Sequence, residues 1–255
     1  MEIRVLGCSG GIGAGLRTTC LRVDDDVLVD AGTGLGDLPL EEMGCIRHIF
    51  LTHSHLDHVS GIPLMADSIF DRVREPITVY GRPETLDALR RHVFNWVIWP
   101  DFTALPDAER PVLRYREMAP GDVVELEGRK VEMIEVNHSV PGAGYRVESP
   151  TGGAFAFSGD TTTNDTFWAA LNRHERLDLL IVESAFADAD LELCRKSRHY
   201  CPSLLADDLA KLEHRPQLYL THLKPGAEKR IFARCRELMS DLDVARLFGG
   251  ESFRL

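Results

Sequence analysis

Four side chains that can bind a metal ion fall within six consecutive positions of this sequence: His53, His55, Asp57 and His58. They follow residues 47–52, which are predicted to form a strand. Alternate residues of an extended chain project to the same side, so the first two imidazoles can converge on one ion. The other two lie where the chain turns into a predicted helix and can face a second ion. A polar turn with solvated histidines is the simpler alternative, but the density of ligand types favours a metal site.

Three more candidate ligands each follow a predicted strand. They are His138, Asp160 and His222. Each ion of a two-metal site takes four or more ligands, so the first cluster cannot complete both sites alone. Any one of the three, taken singly, could be a turn residue or a structural histidine. Their joint position after apolar strands favours function, because open α/β sheets collect ligands at strand ends.

The order of the predicted elements indicates an α/β chain. Its 255 residues suit one domain, and blocks of strands with helices between them suggest two sheets covered by helices. The predicted strands span residues 4–6, 18–23, 26–30, 47–52, 77–80, 123–126, 131–136, 144–147, 154–157, 179–182 and 217–220. The predicted helices span residues 58–73, 83–94, 204–212 and 229–239.

Charge and composition restrict the partners and the compartment. The formal net charge of −11 disfavours nucleic acid as a partner, although bound divalent metals could reverse the local potential for a small anionic substrate. The first residues suit a strand rather than a signal peptide, and no run approaches the about 20 apolar residues of a membrane span. Six scattered cysteines without a Cys-x-x-Cys pair suit free thiols in a reducing compartment. We therefore expect a cytoplasmic protein without a membrane partner.

The spacing of the candidate ligands resembles the metallo-β-lactamase superfamily over nearly the whole chain. The pattern is His-x-His-x-Asp-His, an isolated histidine, an aspartate after Ser-Gly, and a final histidine. The resemblance implies one domain over residues 1–255, an αββα sandwich of two mixed sheets flanked by helices. It also implies two divalent ions, with zinc expected first and iron or manganese as alternatives. The implied ligands are His53, His55 and His138 for one ion, Asp57, His58 and His222 for the other, and Asp160 bridging both.

Five stretches resemble class II cyclic-nucleotide phosphodiesterases. They are residues 6–11, 53–61, 183–186, 199–205 and 221–225, the last containing His-Leu-Lys-Pro. This resemblance implies hydrolysis of 3′,5′-cyclic nucleotides such as cAMP and cGMP to 5′-monophosphates by a hydroxide held between the two metals. Asp57 and Asp160 would be catalytic as well as ligands. His199 is the candidate for proton donation or phosphate contact, with helix entry before Pro202 as its alternative role.

Several interpretations stay open at this point. A tRNA 3′-processing endonuclease or another phosphodiesterase shares the same metal core, and a non-hydrolytic diiron module that senses oxygen or redox state is the alternative of another class. Asp30 either orients a metal-binding histidine or forms a plain turn. The apolar segment 94–100 could cover the cleft, but core packing or a homodimer contact is favoured.

Overall fold

Two mixed β-sheets of seven strands each lie at the centre of the molecule. The computed structural model describes residues 1 to 255. The first sheet contains β1 (Glu2–Gly7), β2 (Cys20–Val23), β3 (Val27–Val29), β4 (His48–Phe50), β5 (Ile77–Gly81), β6 (Leu113–Glu117) and β14 (Ser252–Arg254). The second contains β7 (Val123–Leu126), β8 (Arg129–Val136), β9 (Gly142–Glu148), β10 (Ala154–Phe157), β11 (Leu179–Glu183), β12 (Gln217–Thr221) and β13 (Val244–Arg246).

Eight α-helices connect these strands. They are α1 (Leu40–Met43), α2 (Leu56–Val59), α3 (Gly61–Ser68), α4 (Pro83–His92), α5 (Thr166–Asn172), α6 (Leu191–Ser197), α7 (Pro202–Leu209) and α8 (Glu228–Leu238). Three 3₁₀ turns span Thr33–Asp37, Phe70–Arg72 and Asp188–Asp190. None of these helices has both the length and the apolar character needed to cross a membrane.

Each sheet is antiparallel on one side and parallel on the other. In the first sheet the order is β14-β1-β2-β3-β4-β5-β6, and the strands from β3 to β6 run parallel. In the second the order is β13-β12-β11-β10-β9-β8-β7, and the strands from β10 to β13 run parallel. Parallel strands end at the same edge of a sheet, so the loops that follow them lie side by side.

The apolar core has three parts, which define four layers. Residues such as Val5, Phe50 and Phe155 are buried between the two sheets. A second part lies between the first sheet and α3 and α4, and a third lies between the second sheet and α5, α7 and α8. Burying one apolar face of each sheet against the other and the opposite face against helices leaves little apolar surface in water. The predicted αββα sandwich is confirmed.

The predicted helix over residues 58–73 is wrong as a single element. The chain forms α2, α3 and a 3₁₀ turn instead. The Gly61 amide donates to the carbonyl of Ala31 rather than to the preceding helical turn, and Pro63 has no amide hydrogen to donate. The break matters because it allows α2 to be oriented independently of α3.

Several elements were not predicted, and most of them are short or polar. Strands β13 and β14 have three residues each, and β6 is an edge strand in which charged residues alternate with Leu113 and Tyr115. Helices α1, α5 and α6 were missed as well. The apolar segment 94–100 is divided: Phe94 packs in the core beneath the first sheet, whereas Trp96, Val97 and Ile98 are exposed. A homodimer contact through this segment stays a prediction.

Candidate metal centre

All seven predicted ligands come together where strands of both sheets end. His53 follows β4, and His138, Asp160 and His222 follow β8, β10 and β12. The side chains form two groups, and within each group the candidate ligand atoms lie within 4.8 Å of one another. The first group contains His53, His55, His138 and Asp160, and the second contains Asp57, His58 and His222. A third set within the same distance joins Asp160 and His222 to His199, which was not predicted as a ligand.

Asp160 lies between the two groups. Its Oδ2 is 3.7 Å from Nε2 of His53, a member of the first group. Its Oδ1 is 3.4 Å from Nε2 of His58 and 3.2 Å from Nδ1 of His222, both in the second group. One carboxylate therefore presents an oxygen to each group, which is the arrangement that a bridging ligand requires.

Two glycines allow the ligand loops to approach the first sheet this closely. A Cβ atom on Gly32 would lie 2.1 Å from the carbonyl oxygen of Asp57, and one on Gly10 would lie 2.3 Å from the carbonyl oxygen of His222. Real Cβ atoms do not come so close to backbone, so either substitution would push a ligand loop out of place. His222 also has a left-handed backbone, with φ of 59°.

Buried nitrogen and oxygen atoms in this cluster have no hydrogen-bond partner in the protein. They are Nε2 of His53, Nε2 of His58, Oδ1 of Asp160, and both ring nitrogens of His222. An unsatisfied buried polar atom is costly, and several at one point are unusual in a native fold. Divalent cations would satisfy these atoms. The donor set of five imidazoles and two carboxylates fits zinc, iron or manganese.

The protonation states also fit metal binding. Burial lowers the pKa of His53 well below its usual range, that of His138 to about 4 and that of His222 to about 3. Burial would raise the pKa of Asp160, but the neighbouring imidazoles, His222 first, outweigh this effect and hold it well below its usual value. At neutral pH His53, His138 and His222 are neutral and Asp160 is ionised, which are the forms that bind metals. Burial would lower the pKa of His58, but the charges of Asp160 and Asp30 outweigh it and hold this pKa well above its usual value, so His58 releases a proton when it binds a metal.

Asp30 orients His58, so the plain-turn alternative is not what the structure shows. Its buried carboxylate accepts a hydrogen bond from Nδ1 of His58 at 2.6 Å. It also accepts hydrogen bonds from the backbone amide and the hydroxyl of Thr52, both at 2.8 Å. Because Nδ1 is occupied, Nε2 of His58 is directed at the cluster. A carboxylate in this position fixes the tautomer of a metal-binding histidine.

We expect Asp30→Asn to weaken metal binding by about 10- to 100-fold, because the asparagine amide no longer supplies the charge that polarises His58. Asparagine tolerates the left-handed backbone of this position, where φ is 58°. Competition with a chromophoric chelator would measure the affinity. Asp24→Asn is a matched control, since Asp24 also has a left-handed backbone, at φ of 49°, and contacts Glu2 and Arg129 instead. Equal metal affinity in both variants would contradict a role for Asp30.

His199 lies beside the cluster and is held by Glu183. The His199 Nδ1 donates to Oε1 of Glu183 at 2.7 Å, and the ring lies nearly parallel to that of His222 with centroids 5.4 Å apart. Backbone amides of Thr161, Ala185 and Tyr200 also donate to the Glu183 carboxylate. Burial raises the pKa of Glu183 above its usual value, and the charge of His199 and these hydrogen bonds act in the opposite direction. His199 therefore contacts Glu183 and lies against a candidate ligand, which its alternative role at the entry of a helix does not require.

Glu183 stabilises the protonated form of His199. Burial lowers the pKa of His199, but the charge of Glu183 and its hydrogen bond outweigh burial and raise the pKa above its usual value. The sequence prediction included Glu183 only within a short motif and gave it no role. The available signal was an acidic residue directly after the apolar run 179–182, a combination that rarely occurs in a buried strand without a partner.

Comparisons with known proteins agree with this fold. A family model described as a β-lactamase superfamily domain matches residues 26–223. A probable 3′,5′-cyclic-nucleotide phosphodiesterase of Yersinia pestis is 27% identical over 89% of this chain and 79% of its own length. A ribonuclease Z of Synechococcus sp. is 27% identical over 88% of each chain. The crystal structure of unliganded yeast PDE1 matches with a TM-score of 0.83 at 21% identity, covering 100% of this chain and 99% of the other.

Proposed function

Because the chain belongs to the metallo-β-lactamase superfamily of hydrolases, we propose that it hydrolyses 3′,5′-cyclic nucleotides to 5′-monophosphates. The observation that carries the proposal is the seven-residue cluster with the hydrogen-bonded His199–Glu183 pair beside it. Such a site offers both metal ligands and a proton donor. The choice of cyclic nucleotides is supported by the phosphodiesterase relative, which aligns along most of the chain.

The residues present would hold two divalent ions. We assign one ion to His53, His55 and His138 and the other to Asp57, His58 and His222, with Asp160 shared. When bound, such ions supply positive charge for a phosphate oxygen and make water a better nucleophile at neutral pH. Zinc is our first expectation, with iron and manganese as alternatives.

Asp57 and His199 have complementary roles in this proposal. The Asp57 carboxylate is partly exposed, and its Oδ2 lies 3.9 Å from Nε2 of both His58 and His222. It can therefore act as a ligand and orient the attacking water. His199 has Nδ1 occupied by Glu183, which leaves Nε2 to donate a proton to the 3′ oxygen. The bond between phosphorus and the 3′ oxygen breaks, a new bond from phosphorus to the water oxygen forms, and the product is a 5′-monophosphate.

The test is release of 5′-AMP from 3′,5′-cyclic AMP by purified protein, with metal content measured on the same sample. We expect turnover that a chelator removes and an added divalent metal restores. Restoration by zinc, manganese or iron in separate samples would identify the working metal. Absence of turnover in protein that holds two metal ions would refute the cyclic-nucleotide proposal. A two-iron centre with oxygen-dependent absorption and no esterase activity would instead favour the sensor alternative.

Cleavage of RNA 3′ ends is the second candidate. The ribonuclease Z relative matches this chain as extensively as the phosphodiesterase does. An open cleft of about 570 Å³ adjoins His138 and is lined by Arg82 and Arg198, which could follow a nucleic-acid backbone. Cleavage of a 3′-extended tRNA precursor, together with no hydrolysis of cyclic AMP, would favour this function over the first.

A further inference from the structure

Lys224 lies between two loops at the edge of the metal centre. It belongs to the His-Leu-Lys-Pro motif, two residues after the candidate ligand His222. Its backbone amide donates to the carbonyl of Ala185 at 3.1 Å, and its Nζ donates to the carbonyl of Gly10 at 2.8 Å. The first bond anchors the backbone of Lys224 and the second holds its ammonium group, so the ammonium group has a defined position.

The ammonium group lies near Phe186, at the side of the metal centre where His199 is found. Lys224 forms no ion pair with a carboxylate, although acidic residues outnumber basic ones in this chain. Nζ lies 5.8 Å from the ring centroid of Phe186, and that ring lies 5.6 Å from the ring of His199. Phe186 thus neighbours both the ammonium group and the ring of His199.

We propose that Lys224 binds the phosphate of the substrate and selects phosphate-bearing anions over uncharged esters. An ammonium group has three hydrogen-bond donors, and the Gly10 carbonyl takes one of them, so two remain for phosphate oxygens. The inference rests on the proposed function, because it assigns a phosphate-binding residue to that same site.

The ammonium group of Lys224 offsets negative charge at the site. Asp57, Asp160 and Glu183 concentrate negative charge at the site, and the chain carries a formal net charge of −11. Two divalent ions would offset part of this charge. A fixed ammonium at the rim raises the local potential for an incoming anion. An uncharged ester gains nothing from it.

The test compares Lys224→Met and Lys224→Gln in metal-loaded protein. Calorimetry with inorganic phosphate as the probe should show affinity about 10- to 100-fold weaker than in the wild type, as expected for a lost charge-assisted hydrogen bond. The KM for cyclic AMP should rise similarly, while elemental analysis shows unchanged metal content. Lys229→Met is the matched control, because Lys229 is exposed on the following helix, and it should retain wild-type affinity.

If Lys224→Met folds poorly, Lys224→Gln is the deciding variant, because the glutamine amide can still donate to the Gly10 carbonyl. Phosphate affinity within twofold of the wild type in folded Lys224→Gln would overturn the inference. Loss of metal from that variant would also overturn it, because Lys224 would then support the ligand loop instead of binding phosphate. Phosphate binding does not depend on which ester is cleaved. Failure of the wild type to hydrolyse cyclic AMP would therefore refute the proposed function alone.

Discussion

Replacing Asp160 with asparagine is expected to reduce hydrolysis to background and to weaken metal binding by more than about 100-fold. This loss exceeds the about 10- to 100-fold effect of mutating a residue that only supports a metal ligand. Asp160 is buried and offers one oxygen to each group of imidazoles. Asparagine keeps the shape but removes the negative charge and one acceptor. Both ions would then lose their shared ligand, so activity and metal content should fall together.

Metal content by elemental analysis and turnover of cyclic AMP would be measured on the same preparation after dialysis. Asp165→Asn is the matched control, because Asp165 is exposed five residues later and pairs only with Lys211. Normal turnover and full metal content in Asp160→Asn would remove this residue from the site. Loss of turnover with both metals retained would limit its role to the chemical step.

Replacing His199 with alanine is expected to lower kcat by about 10²- to 10⁴-fold, the usual contribution of a general acid, with metal content unchanged. The effect follows from its place beside Asp160 and His222, where it can reach a leaving oxygen. A loss of metal equal to that in Asp160→Asn would show that His199 is a ligand instead.

The pH dependence tests the pairing of His199 with Glu183. A general acid must be protonated, so the rate should fall as pH rises through the pKa of His199. Glu183 raises that pKa against the opposing effect of burial. Glu183→Gln removes the largest of the influences that oppose burial, so the alkaline limb of the kcat profile should move to lower pH. This shift is a readout that a merely structural glutamate would not change.

A second histidine–carboxylate pair in the chain supplies the control. His174 Nε2 contacts Glu132 Oε2 at 2.7 Å, the same separation as in the pair at the site. Glu132→Gln should leave the pH profile of kcat in place. An alkaline limb that moves equally in both variants would show that the shift reflects general destabilisation. An unmoved limb in Glu183→Gln would contradict proton donation by His199.

The metal ligands could be predicted because their signal is local. His53, His55, Asp57 and His58 are close in sequence, and the geometry of an extended chain entering a helix fixes how they are presented. The other three candidate ligands each follow a segment whose apolar residues predict a strand without knowledge of its place in the sheet. They are His138, Asp160 and His222. Strand content therefore follows from side-chain alternation and burial, and the structure confirms the predicted strands.

The sequence by itself determined the apolar strands, the identity of the candidate ligands and, through its resemblance, the fold. Only the tertiary structure decided which side chains support them. Glu183 reaches His199 because β11 ends beside the loop before α7, and Asp30 reaches His58 across 28 positions. Lys224 meets Gly10 across 214 positions. The physical reason is that parallel strands bring distant loops to one sheet edge, and hydrogen bonds between those loops depend on sheet order, which has no local signal.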